Sequence, residues 1–431
     1  MSLNNFITNI LNVNEKDIDS INSVSSDDET INVFIKLKPK TNICPYCGSK
    51  MIGHGCKKRT LTHSTFINRK CTIIFKQRRY FCKKCEITIS ENCPFASKSK
   101  CLTYETINNI LIDLKNPNIT YSDCAKRHNV SVTQVQRTFD THVNISRKEL
   151  TKIISVDEHY FPNSDQNAKY IFLIMDFDTG IMLDVLRDRK KDTLISYFSD
   201  IKNRTLNKNN HTSELDNVQF ISMDMNDTYR SVFNTYFPNA IICADSFHVI
   251  KQLNQAFKAI RLKYHRLTQN SKMKYLFVKF RYVFDHGTNL DNDPKYNKVF
   301  KQYMNHRDIL TTLLDNFPEL KKAYLLKEKY IHFNETANVD TAETELLKLI
   351  DEFSNCQIEE YVAFRNLLMN WCNEIINSFN LSKSKRINNS YIESKNSRIE
   401  LLLIASNGLS NFKRTRNRIL YCLNKDDKYK M

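Results

Sequence analysis

The chain has 431 residues and a formal net charge of +17, from 64 Lys and Arg against 47 Asp and Glu. With 41% hydrophobic and 11% aromatic residues it is not a wholly disordered chain, and it has no apolar run near the ~20 residues of a membrane span. The opening MSLNNFITNILNVNEKD is too polar for a signal peptide, so a cytosolic protein is expected, in which 13 cysteines serve metal or core rather than disulfides.

A pI near 9.2 points to nucleic acid as partner. Only 6 Gly and 8 Pro predict long helices with few breaks. Residues 1–38 read as a mildly acidic N-terminal segment, with a short helix over 3–11, a loop, and a strand over 30–37, where TINVFIKL alternates apolar and polar side chains.

Residues 39–100 read as a zinc ribbon. From Lys36 to Lys100 there are 16 Lys and Arg against two acids, Glu86 and Glu91, and seven of the cysteines. Cys44-Pro-Tyr-Cys47-Gly48 and Cys82-Lys-Lys-Cys85 form two CxxC pairs separated by 34 residues. Each pair folds a tight turn that aims both sulfurs at one ion, so Cys44, Cys47, Cys82 and Cys85 are the candidate ligands of a structural Zn²⁺. Strand-like alternation over 72–75 and 76–81 fills the space between them, and Arg78 and Arg79 are candidate DNA contacts.

Residues 101–149 read as three short helices. The pattern Ile107, Ile110, Leu111, Leu114 has the helical period, and Asn116-Pro117-Asn118 ends it. A second helix follows over 121–129, and Ser131-Val-Thr-Gln134 is a capping signal for a third. Val132, Val135 and Phe139 are expected inward, with Thr133, Gln134, Gln136 and Arg137 exposed near its start. That is the geometry of a helix-turn-helix, whose second helix enters the major groove of DNA and reads base edges.

Residues 150–250 change to strands and helices in the order strand, strand, strand, helix, strand, helix, strand, helix. The order matches a ribonuclease-H-like mixed sheet, in which the fourth strand lies beside the first. Asp157 near the end of the first strand and Asp224 at the end of the fourth would then be neighbours. Two close carboxylates repel unless a cation sits between them, and a pair of Mg²⁺ ions (or Mn²⁺) is the usual resident. A third carboxylate is expected from a late helix, where Glu393 stands near the start and Glu400 two turns on. Asp245 ends the fifth strand as an alternative or fourth carboxylate. His248 after it either orients a phosphate or water or braces the strand–helix junction. Residues 251–380 read as a helical insertion, and 381–431 as the final helices of the core, with a basic tail of Lys413, Arg414, Arg416 and Arg418 suited to backbone phosphates. The fold class expected is therefore α+β/α and multidomain: zinc ribbon, helix-turn-helix, and a ribonuclease-H-like core interrupted by an all-α insertion.

On these residues the chain resembles the bacterial insertion-sequence transposases of the ISL3 type, which join a zinc ribbon, a helix-turn-helix and a DDE catalytic domain. The resemblance rests on Cys44-Pro-Tyr-Cys47-Gly48, Val156-Asp157-Glu158, Met223-Asp224-Met225, Asp245-Ser-Phe-His248-Val249 and Asn388-Asn389-Ser390-Tyr391-Ile392-Glu393. Ser246 stands where Arg is common in such proteins. The resemblance implies Asp157, Asp224 and Glu393 as the metal-binding triad. It also implies a helical insertion before Glu393, in keeping with the 169-residue step from Asp224. It further implies Mg²⁺-dependent cleavage at terminal inverted repeats and 3′-OH strand transfer into target DNA, by a dimer or larger assembly on double-stranded DNA. Three other readings fit parts of the pattern: a metal-dependent nuclease or junction resolvase, a catalytically inert DNA-binding regulator, and a zinc-stabilised RNA-binding protein.

Overall fold

A computed structural model describes residues 13–25, 29–66, 68–161, 169–208, 213–405, 411–427 and 429, and the helix expected over 3–11 lies outside them. The chain divides into two compact units. One holds the residues up to Ser146 and from Asn396 onward, the other Arg147 to Lys395.

In the first unit, β1 (Ile18–Ser25) stands where a loop was expected, followed by β2 (Thr30–Leu37), β3 (Ile52–Phe66), β4 (Arg69–Cys82) and β5 (Ile87–Ser90). The sheet order is β1-β2-β4-β3, with β5 also on β4. Only the β2–β4 pair is parallel. Val33, Ile35, Ile73 and Phe75 alternate onto one face and are buried with Phe95, as the period-2 pattern requires. The two strand segments expected over 72–81 are one continuous strand. Its partner β3 carries no legible alternation, because Gly53 to Lys58 are all exposed.

Helices α1 (Tyr104–Asp113), α2 (Tyr121–Arg127) and α3 (Val132–His142) follow. Thr103, Thr120 and Ser131 cap them, each accepting a backbone N–H three residues on. The last helix, Phe412–Leu423, belongs to the same unit, where Arg414, Arg416 and Arg418 find partners and Lys413 is exposed. Arg418 is 1% exposed and donates to the carbonyls of Leu114, Asn116 and Ile119. Arg414 pairs with Asp140 at 2.6 Å, and Arg416 donates to the Ile145 carbonyl at 2.7 Å. The phosphate-binding tail expected from Lys413, Arg414, Arg416 and Arg418 is thus corrected at Arg418, whose buried guanidinium satisfies backbone carbonyls.

The second unit contains β6 (Ile153–Tyr160), β7 (Tyr170–Asp176), β8 (Met182–Leu186), α4 (Lys191–Lys208), β9 (Phe220–Met223), α5 (Asp227–Tyr236), β10 (Ile241–Ala244) and α6 (Ser246–Leu267). The sheet order is β10-β9-β6-β7-β8. β6, β7 and β8 are antiparallel neighbours, whereas β9 runs parallel to both β6 and β10. The fourth strand of this unit therefore lies beside the first. Helices Ser271–Lys279, His306–Asn316, Pro318–Thr336, Ala342–Asn355, Val362–Asn370 and Cys372–Asn377 come next. They share one apolar core with the sheet, from Phe172, Phe198 and Phe233 to Phe277, Leu320 and Tyr361. The insertion is not all-α as expected. A hairpin of Lys295–Asn297 and Gln302–Met304 interrupts it, closed by the Tyr296–Tyr303 ring contact at 5.5 Å and a left-handed turn at Lys301 (φ 54°).

Candidate active site and metal centre

The second unit's sheet brings carboxylates together by register. Ser155 of β6 pairs with Ser222 of β9, so Asp157 and Asp224 each lie two residues beyond that pair on adjacent parallel strands. Ala244 of β10 pairs with Met223, which puts Asp245 level with Asp224 on the other side. Asp157, three residues before the end of β6, thus stands level with Asp224 and Asp245, which directly follow β9 and β10.

His248, one turn into α6, sits between two of them. Its Nδ1 is 2.9 Å from both Asp224 Oδ1 and Asp245 Oδ2. A single N–H points in one direction, and it donates to Asp245. Asp224 Oδ1 is therefore buried without an aligned donor. Burial works against the charged ring, yet the two carboxylates at 2.9 Å, Asp224 and the hydrogen-bonded Asp245, outweigh it and raise His248 to about 10. Asp245 is 1% exposed and accepts the N–H of Asn389 at 3.0 Å.

Glu393 lies in the first turn of the helix Ser390–Ala405. Burial raises its pKa first, then the negative charge of Asp245 and of Asp224, with His248 opposing. It shares its surroundings with both aspartates. Glu400 is exposed. Glu158, beside Asp157, is held by Arg189 and by the Tyr229 hydroxyl. Burial keeps that hydroxyl protonated, with Asp224 and Asp157 adding to the effect against Arg189. Asn389, Arg189 and Tyr229 were not singled out in the sequence. Asn389 lay inside the Asn-Asn-Ser-Tyr-Ile-Glu stretch, and no local pattern marked the other two.

The donors that the structure draws together are two carboxylates and an imidazole, a set a divalent cation accepts, and one carboxylate oxygen, Asp224 Oδ1, is buried without an aligned donor. The Asp224, Asp245 and His248 ligand atoms all lie within 4.8 Å of one another.

In the first unit, the sulfurs of Cys44, Cys47, Cys82 and Cys85 also lie within 4.8 Å of one another. Cys44 and Cys85 are 3.9 Å apart, and Cys47 and Cys82 3.5 Å. A tetrahedral zinc ion with Zn–S of ~2.3 Å needs sulfurs ~3.8 Å apart, so the four thiols fit it. Gly48 closes the first knuckle at φ +69°, which favours glycine. Ser49 bonds pull the Cys47 thiol down to about 6, while Cys47, burial and the other thiols push Cys85 up to about 12. Zinc would take all four as thiolates.

On α3, Thr133 and Arg137 are exposed, Gln134 and Gln136 half-buried, and Val132 is exposed rather than inward. Gln134 donates to Thr138 at 3.3 Å. Arg78 is half-buried and bound to Glu91 at 3.0 Å and to the Leu37 carbonyl, and Arg79 is half-buried. A separate network runs from half-buried Asp113 through buried His128 (3.1 Å) to buried Ser64 (3.0 Å).

The sequence matches the ISL3-type DDE transposase family over residues 154–419, more than half of the chain. Residues 40–85 match a family described as the zinc-finger of transposase IS204/IS1001/IS1096/IS1165. A search of curated proteins finds no match. No helix among the described residues is long and apolar enough to cross a membrane.

Proposed function

Since the chain belongs to the ISL3 transposase family, we propose that it binds the terminal inverted repeats of an insertion sequence and catalyses Mg²⁺-dependent strand cleavage and 3′-OH strand transfer. The observation that carries this reading is the shared level of Asp157 and Asp224 on adjacent parallel strands of a sheet read as ribonuclease-H-like. Glu393 completes the proposed triad from the facing helix.

When bound, two Mg²⁺ (or Mn²⁺) ions supply the charge that activates the attacking oxygen and stabilises the leaving one. Asp157, Asp224 and Glu393 would hold those ions, and no protein–DNA covalent bond is required. Asp245 and His248 act beside the triad: the imidazole braces both aspartates, and Asp245 anchors the start of the helix bearing Glu393. Arg189 and Tyr229 hold Glu158, leaving Asp157 as the carboxylate of β6 assigned to the reaction.

In the first unit, the zinc ribbon and the helix-turn-helix reading of α1–α3 supply duplex recognition. Thr133, Gln134, Gln136 and Arg137 face the bases, and Arg78 and Arg79 lie with the ribbon. Synapsis of two ends calls for a homodimer or larger assembly, working on DNA in the bacterial cytoplasm. The test is 3′-end cleavage and joining on the element's own terminal DNA with Mg²⁺, comparing wild type with Asp224→Asn. Cleavage and joining that are both lost in the variant support the reading. Cleavage without joining identifies a nuclease, and tight inert binding a regulator.

A further inference from the structure

The outer face of the N-terminal sheet is arranged in rows. Lys58 of β3 stands directly opposite Lys76 of β4. One step beyond the Ile35–Phe75 pair, Lys36 of β2 lies level with Lys76, so three lysines run side by side across three strands. Adjacent strands are ~4.8 Å apart, and like charges directly opposite each other destabilise a sheet. Asp19 pairs with Lys36 at the sheet's edge, but Lys58 and Lys76 make no ion pair among the described residues. The next row is apolar at its centre. Phe34 pairs with Ile74 and is flanked by Asn22 and Thr60. Phe34 is 39% exposed, although its neighbours Val33 and Ile35 are buried on the opposite face. Lys36, Lys58 and Lys76 of the first row and Asn22, Phe34 and Ile74 of the second line one open groove.

We propose that this groove binds an extended single strand of DNA, with phosphates along Lys36, Lys76 and Lys58 and a base stacked on Phe34. The lysine row is a like-charge arrangement that an anionic chain relieves. An aromatic ring standing out of a flat sheet beside such a row is how unpaired bases are held without sequence preference. A duplex keeps its bases stacked inside and offers no base face to Phe34. The proposal rests on DNA being the substrate, and needs none of the chemistry at Asp157, Asp224 and Glu393. It gives the unit that recognises duplex ends a second surface, for the strand that cleavage frees.

The experiment uses the full, zinc-loaded chain and an oligothymidylate of about ten nucleotides, followed by fluorescence anisotropy without Mg²⁺. Three results are expected. Phe34→Ala weakens binding roughly tenfold and Phe34→Trp restores it. The double variant Lys58→Ala/Lys76→Ala lowers the slope of log affinity against log salt by about 1.4, at ~0.7 per phosphate contact. The same double variant melts at an equal or higher temperature than wild type, because the opposed charges are gone, which separates lost binding from lost folding. Oligothymidylate affinity unchanged in all variants overturns the proposal. So does a loss confined to duplex DNA. Both readouts stand whether or not the chain cleaves DNA.

Discussion

The backbone N–H of Asn389 donates to Oδ1 of Asp245 at 3.0 Å, across 144 positions of sequence. The same residue's side-chain Nδ2 donates to the carbonyl of Val156 at 3.0 Å, one residue before Asp157. Its own carbonyl accepts the N–H of Glu393 at 3.0 Å. One fully buried asparagine thus joins the middle of β6 and the end of β10 to the first turn of the helix that carries Glu393.

Replacing Asn389 by Ala leaves the Val156 carbonyl buried without that donor, at a cost of about 1–3 kcal/mol. The variant is expected to melt lower and to cleave DNA more slowly even below its melting transition. Asn389→Asp is not expected to rescue it, because a carboxylate cannot donate to Val156 and adds a negative charge near Asp245. Cleavage by Asn389→Ala at the wild-type rate would remove the asparagine from the site's support.

Asp224 and Asp245 separate by burial. Asp224→Asn is expected to keep the fold and DNA binding while losing cleavage by roughly a hundredfold or more. Asp245→Asn keeps one acceptor for the Asn389 N–H but turns the other buried oxygen into an NH2 group and removes the charge facing His248, so it is expected to lower stability as well. Urea unfolding beside cleavage assays distinguishes them. Cleavage retained in Asp224→Asn, but lost in a stable Asp245→Asn, would exchange their roles.

Zinc removal tests the four thiols. Cys44→Ser or Cys82→Ser is expected to abolish stoichiometric zinc and to loosen the knuckles, because metal-binding free energy is folding free energy in such sites. Metal content by atomic spectroscopy and the thiolate absorption of a cobalt-substituted protein would check this. Full zinc retention in both variants would reassign the ligands.

His63 gives the first unit a pH dependence. Burial pulls its pKa from 6.5 to about 4, and its Nδ1 lies 2.9 Å from the Thr103 hydroxyl. The fold prefers the neutral ring, so this contribution is in place above pH 6.5 and is lost as pH falls through about 4. The loss amounts to about 3 kcal/mol. Chemical unfolding at pH 7, 5.5 and 4.5 should show a steeper decline in wild type than in His63→Gln. Parallel declines would assign the acid sensitivity to other groups.

Arg418 is expected to matter for stability rather than for phosphate binding. Arg418→Met takes the charged donor from the carbonyls of Leu114, Asn116 and Ile119, of which the first two keep only the longer contacts from Cys422 Sγ and the Ile119 N–H, and should cost about 3 kcal/mol. Arg418→Lys restores little, since one ammonium lacks the planar fork that spans three acceptors. Lys413, exposed on the same helix, can be replaced without loss of stability. A lower salt slope of DNA binding in a stable Arg418→Lys variant would return this arginine to the DNA surface.

The CxxC pairs, the Ser131 cap, the Thr30–Leu37 strand and the aspartates at strand ends could all be read in the sequence. Each is a pattern among near neighbours, written in spacing or in a period of 2 or 3.6. β3 could not be read that way: its run of exposed residues from Gly53 to Lys58 carries no alternation, and its pairing with β4 is what makes it a strand. Nor could the fates of Arg418 and Asn389, whose partners lie 304 and 144 positions away. A basic residue on a helix reads the same whether it faces water or a ring of carbonyls. Burial separates the two cases, because a polar group withdrawn from water must find its partners within the fold. Local order is therefore a property of adjacent residues, whereas the partners of Arg418, Asn389, Asp245 and His248 exist only once the strands are in register and the helices have closed over them.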